Sequence, residues 1–376
     1  MRILVLCHEY PPIGGGGGRV AQDICTGLAV RGHDVRLVTA AFGSLPAEEV
    51  QNGVTIYRLK SGRKQEFRAP LGAMAGYLLA GLPFCLNLIR RWRPDVIHVH
   101  FAVPAGALGL ALKILTGVPY VITAHLGDVP GGVPEKTGKW FQFIYPLTPP
   151  IWRKAAAVCA VSSFTSHLAE EAYPGISPVV IPNGVDTHDY DPGEITVNDP
   201  PQVVFAGRFV PQKNPLQVVY ALNEVKDLPW TCVMAGDGAL KPDVEALVNS
   251  LGLRSRFTFP GWLTPTGVKD WFAKSDILFL PSLSEGLPVV GVQGMAMGLA
   301  LLLSRAGGNP DLVNAPSNGY LFDPDDTAGF SSALRGWLTD REVLQHTRLA
   351  SREAAEIFSL ERIVAKYENV LMNASK

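Results

Sequence analysis

Apolar residues fall along this chain in short blocks. Runs of three to six, mostly aliphatic and β-branched, occur at 3–6, 35–39, 54–59, 96–100, 120–123, 157–160 and 179–181. Most are followed by helical spacing or by glycine. The runs show little polar alternation, as strands buried on both faces do, so the pattern predicts a parallel sheet covered by helices. Helices are expected around 20–30, closed by Gly32, and over 105–115, closed by Gly117. From 203 onward the pattern starts again. Strands are predicted at 203–206, 231–235, 257–259, 277–280 and 301–304, with helices at 215–223, 266–273, 289–296 and over most of 327–373.

Between the two series lies 183–201, a polar stretch with Asp-Pro and Asn-Asp pairs and no apolar period. Two tandem α/β domains are therefore expected. Open α/β sheets bind ligands at the carboxyl ends of their strands, so the expectation is one site shared between two such domains.

Composition narrows the function. The chain has 376 residues, 47% hydrophobic and 18% charged, with 33 basic against 34 acidic side chains. Such a balance speaks against a disordered tail protein and against a nucleic-acid binder built on bulk positive charge. The five cysteines, Cys7, Cys25, Cys85, Cys159 and Cys232, are odd in number and scattered through apolar runs. They are expected to be buried thiols of a reduced compartment. The first residues enter a strand-like run without the features of a signal peptide, and the most apolar segment, 69–89, is interrupted by Pro70 and Pro83. A cytoplasmic protein is the expectation.

The charge is unevenly divided: residues 1–182 carry 17 basic and 11 acidic side chains, a net +6, and the remainder a net −7. In the first half the basic residues gather at Arg58, Lys60, Arg63, Lys64 and Arg68, and again at Arg90, Arg91 and Arg93. The apolar segment lies between them, and an aromatic stretch follows at 140–145. Basic groups beside apolar segments mark surfaces that lie on anionic lipid, so peripheral contact with an anionic membrane is one reading. A solvated face over ordinary core helices is the other.

The strand ends carry the candidate chemistry. A glycine run at 14–18 follows the first strand and leads into a helix, where backbone N–H groups can approach a phosphate. As a dinucleotide loop it fails in detail. Arg19 stands where the third glycine should be, and no acidic residue ends the second strand. In the second half, Gly207 and Arg208 come directly after a strand, and Lys213 and Asn214 precede a helix. Two cations so placed can neutralise a diphosphate. Gly236 and Gly238 repeat the strand-end pattern. Glu285 falls in a loop ahead of a helix whose first N–H groups, around Leu287 to Val290, are open to a ligand, and Gln293 lies one turn further on. His98 and His100 alternate on one strand and superficially look like a metal pair, but strand-end packing and polar contacts of the first domain are the preferred reading. No Asp-x-Asp or histidine cluster has ligand spacing near these residues.

Taken in order, the motifs resemble those of retaining glycosyltransferases of the GT-B architecture, specifically family four, the glycosyl transferases of group 1. The resemblance runs over nearly the whole chain. It includes His8-Glu9-Tyr10-Pro11-Pro12 with Gly15 and Gly16, Pro94-Asp95-Val96-Ile97-His98-Val99-His100, and Thr123-Ala124-His125. It continues through Ile181-Pro182-Asn183-Gly184-Val185-Asp186, Gly207-Arg208 with Lys213-Asn214, Gly236-Asp237-Gly238, and the loop from Pro281 to Pro288. It closes with Gly307-Gly308-Asn309-Pro310-Asp311. The family's pair of glutamates separated by seven residues is represented here by Glu285 and Gln293.

What the resemblance implies is an α/β fold of two Rossmann-like parallel-sheet domains facing across a cleft. Residues 1–182 would form the acceptor-side domain, 183–200 a linker and 201–356 the nucleotide-sugar domain, with 357–376 a helix packing back toward the first. The implied activity is metal-independent, retaining transfer of a hexose from a nucleotide sugar, UDP-glucose or a related UDP-hexose, to a polysaccharide intermediate, a lipid-linked glycan or a small metabolite. The net +6 of the first half favours a lipid-linked or anionic acceptor. No cofactor is implied beyond that co-substrate. His125 would serve transfer near the donor sugar, and Gly15 and Gly16 would approach the diphosphate. Arg208 and Lys213 would clamp the diphosphate beside Gly207 and Gly236. Glu285 would meet the sugar hydroxyls, and the backbone of Gly286, Leu287, Pro288, Val289 and Val290 would line the sugar and phosphate. Trp262 and Leu263 would flank the base, and Gln293 the ribose, with a neutral amide where the family has a charge. Asp128 would orient sugar or acceptor. The competing readings are an epimerase or phosphorylase on the same fold, and a catalytically weak UDP-sugar binding protein. Oligomeric state is not readable.

Overall fold

A computed structural model describes residues 1–66, 69–133 and 144–376. The chain divides into two compact units, Met1–Gly184 with Leu360–Lys376, and Val185–Ser359. Arg68 and the aromatic residues 140–143 lie outside the described residues.

The first unit holds strands β1 (Arg2–Leu6), β2 (Asp34–Ala40), β3 (Glu48–Gln51), β4 (Val54–Leu59), β5 (Val96–His100), β6 (Tyr120–Ala124), β7 (Ala157–Ala160) and β8 (Val179–Val180). They form one sheet in the order β3-β4-β2-β1-β5-β6-β7-β8, parallel throughout except for β3, which runs antiparallel on β4 at the edge. Helices α1 (Gly16–Val30), α2 (Leu71–Trp92), α3 (Ala107–Thr116), α4 (Pro149–Arg153) and α5 (Ser163–Ala172) connect the strands. The runs read as strands are buried because both faces are covered. Leu4, Leu6, Ile97 and Val99 pack with Tyr77, Cys85, Leu108 and Leu112 of α2 and α3. Segment 69–89 is helical through Pro83. That proline faces outward, so the backbone bond it removes is on the side where water can substitute.

The second unit has β9 (Gln202–Ala206), β10 (Thr231–Ala235), β11 (Phe257–Gly261), β12 (Ile277–Leu280), β13 (Ala300–Ser304) and β14 (Gly319–Phe322), all parallel, in the order β11-β10-β9-β12-β13-β14. Its helices are α6 (Pro215–Asn223), α7 (Lys241–Ser250), α8 (Pro265–Phe272), α9 (Val289–Ala296), α10 (Thr327–Thr339) and α11 (Arg341–Ala354). The stretch 185–199 is bound into this unit: the Val185 N–H donates to Phe358 O at 3.0 Å, and Asn198 donates its N–H and Nδ2 to buried Asp276. Arg348 also pairs with Asp276, which closes that corner.

The last helix, α12 (Leu360–Ala374), belongs to the first unit. Gly27 of α1 is the reason it fits closely, since a Cβ there would lie 2.4 Å from Val364. Glu368 receives Arg31 and His33, each at 2.7 Å.

Both sheets reverse their strand order between two central neighbours, β1 and β5 in the first unit and β9 and β12 in the second. At such a switch point the loops leave in opposite directions and open a crevice at the carboxyl edge.

Candidate active site

At the switch point of the second unit, the turn after β9 carries Gly207 and Arg208, and the loop after β12 carries Glu285. A Cβ on Gly236, at φ +139°, would lie 1.9 Å from the Gly207 carbonyl oxygen, so glycine there lets the ends of β9 and β10 close up. Past Arg208 the chain makes a single turn at Pro211–Lys213 and is redirected into α6 by Asn214 in the left-handed region. That turn is tied to the β12 loop: Leu283 N–H donates to Gln212 O at 2.8 Å, and Gln212 Nε2 to Ser284 O at 3.1 Å. Lys213 Nζ is thereby delivered to Glu285 Oε1 at 2.5 Å, both side chains largely buried.

A second loop supports Glu285. Its carbonyl accepts from the Gly308 N–H at 3.0 Å, and Gly307, at φ +58°, is where a Cβ would come within 1.9 Å of that same oxygen. Beneath it, buried Asn309 donates to Ser304 O at 2.9 Å, and Ser304 Oγ donates to Ser282 O. Ser282, Ser304 and Asn309 escaped the sequence reading as site residues. The signal available was a Gly-Gly-Asn turn directly after a strand.

Helix α9 starts beside this loop without a side-chain cap: the Gly291 and Val292 N–H groups already donate to Pro288 O, and those of Val289 and Val290 lack intrahelical acceptors. Leu287 and Pro288 are buried under its start, and Gly286 is partly exposed. The helix presses onto β12 through Gly294, where a Cβ would meet Leu278 at 2.5 Å. Gln293, in the second turn, is half-buried, and its side chain makes no hydrogen bond among the described residues. The Arg208 guanidinium has no ion pair among them either. Trp262 and Leu263 follow β11, two strands away from β9. Gly261 O accepts the Gly236 N–H at 2.8 Å, so those two strand ends are joined. In this unit the fold brings Gly207, Lys213, Gly236 and Glu285 together. Gly15, Gly16 and His125 stand in the other unit.

The first unit's switch point is built from different material. The glycine run divides its work. Gly17 and Gly18 are spacers: a Cβ on Gly17 would meet Phe101 at 2.6 Å and His125 Nδ1 at 3.2 Å, and one on Gly18 would meet Glu9 O at 2.4 Å. Gly15 and Gly16, the N-cap and first residue of α1, are exposed. Arg63 is buried and holds this turn by donating to the carbonyls of His8 and Glu66, while Gly14 N–H donates to Glu66 O at 2.9 Å. Arg58 is likewise buried, paired to Glu49. Two residues of the first basic cluster are thus internal.

Four histidines meet at this edge. His98 Nε2 pairs with Thr123 Oγ1 at 2.8 Å, and His100 Nδ1 faces His125 Nε2 at 3.4 Å. His8 packs edge-on against Phe101. Burial holds His125 down to about 4, with His8 adding to the effect, and holds His8 and His98 each down to about 3. His100 is lowered too, first by burial and then by its histidine neighbours. All four are neutral at neutral pH. Buried Asp128 accepts the His125 N–H at 2.9 Å. Burial raises its carboxyl well above the usual range, against the bonds it receives from His125 and Ala102. Phe101 takes φ +73°, a conformation that costs a non-glycine residue energy and that no sequence signal announces. Among the described residues, no group of three or more His, Cys, Asp or Glu could hold a metal ion.

Residues 14–189 match the profile of Glycosyltransferase Family 4, and residues 189–354 match that of Glycosyl transferases group 1. The chain belongs to the family four glycosyltransferases. Over 92% of its length this glycosyltransferase is 27% identical to the 2-deoxystreptamine glucosyltransferase of Streptomyces kanamyceticus, covering 96% of that protein. Its fold matches the sucrose-phosphate synthase of Thermosynechococcus elongatus with a TM-score of 0.85 at 20% identity, over 98% of this chain and 97% of the other. It matches the Anabaena protein HepE, solved with UDP and glucose, at 0.78 and 20% identity over 99% of each. The architecture is GT-B. The glycosyltransferase thus has two α/β units with parallel sheets, each with its own switch point.

Proposed function

We propose that this glycosyltransferase moves a hexosyl group, with retention, from a nucleoside-diphosphate sugar, a UDP-hexose such as UDP-glucose, to a hydroxyl of a glycan acceptor that is lipid-linked or anionic. The observation that carries the donor reading is the Lys213–Glu285 pair at the β9/β12 switch point, with Arg208, which has no ion pair among the described residues, on the same turn and the open start of α9 beyond. The UDP and glucose of the Anabaena relative support the choice of donor.

In this reading Lys213 exchanges its carboxylate partner for the diphosphate when the donor binds. Glu285, released, accepts hydrogen bonds from the sugar hydroxyls. As the bond from the anomeric carbon to phosphate oxygen breaks, the acceptor oxygen forms its bond to that carbon on the same face. The acceptor's proton passes to the departing phosphate. Arg208, Lys213 and the α9 amides stabilise the charge that appears on the leaving diphosphate, the role a divalent ion plays elsewhere. In the first unit, neutral His125 beside Gly17 is a hydrogen-bonding group for the sugar or acceptor, held by His100 and by the turn that Asp128 closes. The +7 charge of the first unit, from 20 basic and 13 acidic side chains, favours an anionic acceptor. The enzyme would work in the cytoplasm, at the inner face of the membrane.

The test is calorimetry in EDTA against UDP, GDP, ADP and their hexose conjugates. The expected result is a clear preference for UDP compounds, lost in Lys213→Ala. Failure of all of them to bind overturns the donor reading.

A further inference from the structure

Two long helices cover opposite faces of the first unit's sheet, and their outward sides differ completely. On α12 the exposed residues are Glu361, Arg362, Lys366, Asn369, Met372 and Asn373, an ordinary wetted face. On α2 the exposed stripe is Leu71, Ala75, Leu79 and Pro83, flanked by half-buried Met74, Leu78, Leu82 and Leu86. The first polar residue on that side is Asn87, and Arg90 and Arg91 follow. The helix is long and apolar enough to cross a membrane by length and composition, yet only 28% of its most apolar window is buried. It does not stand free to cross one. Tyr77 is fully buried and donates to Val38 O of β2 at 2.9 Å, which fastens α2 lengthwise along the sheet.

The apolar surface continues onto the neighbouring helix. Gly81 of α2 lets α3 pack closely, since a Cβ there would meet Leu108 at 2.7 Å. On α3, Ile114 and Leu115 are 72% and 59% exposed, and Leu79 on α2 is 78% exposed. The charge around this face has one sign. Helices α2, α3 and α4 contain no Asp or Glu, and between Glu66 and Asp128 the only acidic residue is Asp95. Arg90, Arg91, Arg93, Arg153 and Lys154 are exposed and make no ion pair among the described residues.

From this we infer that the outer side of α2 and the end of α3 form a docking surface for an anionic lipid bilayer, with α2 lying in the interfacial plane. A helix laid flat buries its apolar stripe among acyl chains while cations beside it meet lipid phosphates. A protein partner for a face so rimmed would have to be acidic, and an ordinary soluble helix would carry polar residues on its outward side. The inference deepens the lipid-linked acceptor reading, because an enzyme held at the surface meets such an acceptor by lateral diffusion. It is independent of the donor reading, whose site lies in the other unit.

The experiment is co-flotation of the full chain with vesicles of phosphatidylcholine alone or with 30% phosphatidylglycerol as probe, at low and at physiological salt. The wild type is expected to float with the anionic vesicles at low salt, more weakly as salt rises, and poorly with phosphatidylcholine alone. Leu79→Glu combined with Ile114→Glu should lower binding about tenfold or more. Arg90→Ser and Arg91→Ser should each lower it about fivefold, on anionic vesicles only. Both apolar positions are exposed, so the double variant should fold. Unchanged circular dichroism and an unchanged UDP dissociation constant establish that it does, and they separate loss of docking from failure of the donor reading. Three outcomes overturn the inference: no flotation on anionic vesicles at low salt, flotation undiminished in the double variant, or self-association through this face without vesicle binding.

Discussion

The two sheets share a core strand order and differ in what they place at its reversal. At β9/β12 the second unit assembles charge: Lys213 on Glu285 at 2.5 Å, with Arg208 alongside and a helix start beyond. At β1/β5 the first unit assembles neutral polarity: four buried imidazoles, a carboxyl that burial pushes toward its protonated form, and a strained Phe101. A phosphate leaving group needs fixed positive charge, whereas hydroxyls need donors and acceptors that carry none. One topology thus supplies two environments, and the difference lies in the loops and in the last residues of the strands that feed them, His98 and His100 among them. It is paradoxical only at first sight that the unit with the net charge of +7 has the neutral site. Its cations are spent on the surface or on internal clips such as Arg63.

The sharpest way to break this comparison is to remove the charge from the second site one partner at a time. Lys213→Ala should weaken UDP binding by about 10- to 100-fold, the worth of a charge-assisted hydrogen bond of ~1.5–3 kcal/mol. It also leaves Glu285 buried without its cation, so the thermal midpoint should fall as well. Glu285→Gln should act in the opposite direction on UDP, which then no longer competes with a carboxylate for Lys213, while sugar transfer falls by at least as much. Calorimetry on both variants decides the matter. If both weaken UDP equally, the pair is a structural bridge and not an exchangeable clamp.

Next in size are the backbone contacts that bring the loops together. Gly236→Ala places a Cβ 1.9 Å from the Gly207 carbonyl oxygen and should cost roughly 3–5 kcal/mol, read as a lowered unfolding midpoint. Gly32→Ala is the control. Its φ of +87° is also left-handed but no atom lies within 4 Å of the new methyl, so about 1 kcal/mol is expected. Equal effects would mean that conformation alone, and not close approach at the strand ends, makes these glycines necessary.

The first unit should reveal itself by pH. His8, His98 and His125 have folded pKa values of about 3, 3 and 4 against 6.5 unfolded. Between those limits the unfolded chain binds more protons. Their contribution is therefore complete above pH 6.5 and is lost progressively as the pH falls toward 3 to 4, and His100 acts in the same direction. Asp128 opposes them, since a raised carboxyl pKa favours the folded state on acidification, but it is one group against four. Urea unfolding should thus show a midpoint at pH 4.5 well below that at pH 7. His98→Asn should flatten the slope by about one proton. No such slope in that variant or in the wild type would mean the imidazoles are hydrated, and the contrast between the sites would be smaller than drawn.

How far these sites were legible follows from the same physics. A strand covered on both faces must be apolar throughout, so the central strands could be read nearly to the residue, as at Tyr120–Ala124 and Ile277–Leu280. The edge strand Glu48–Gln51 was missed because an antiparallel edge facing water needs no apolar run. Helix α2 was obscured by Pro70 and Pro83, which cap it and ride on its outer side without breaking it. Glycines and charges after strands pointed to the loops of the second site. They could not show that Lys213 reaches Glu285, which depends on the Gln212 hydrogen bonds that register one loop against the other. Nor could they show which glycines of the run at 14–18 pack and which stay open. That division is set by Phe101 and Glu9, neighbours remote from those glycines in sequence or folded back upon them.

The smallest expected effect asks whether charge in the second unit extends beyond the diphosphate. Gln293 occupies the second turn of α9, half-buried, where a carboxylate would also feel the positive end of that helix. Glutamine can accept one ribose hydroxyl through its amide oxygen but cannot offer two equivalent charged oxygens. Gln293→Glu should therefore tighten UDP by about three- to tenfold, the gap between a neutral and a charged hydrogen bond. The gain must depend on the hydroxyls themselves: with 2′-deoxy-UDP in the same calorimeter it should shrink to about half or less on a logarithmic scale. A gain that survives removal of the hydroxyl is a long-range field effect of the added charge, which raised salt would screen. No gain with either nucleotide would detach Gln293 from the ribose. The second site would then be a diphosphate grip alone, with the nucleoside held by backbone near Trp262 and Leu263.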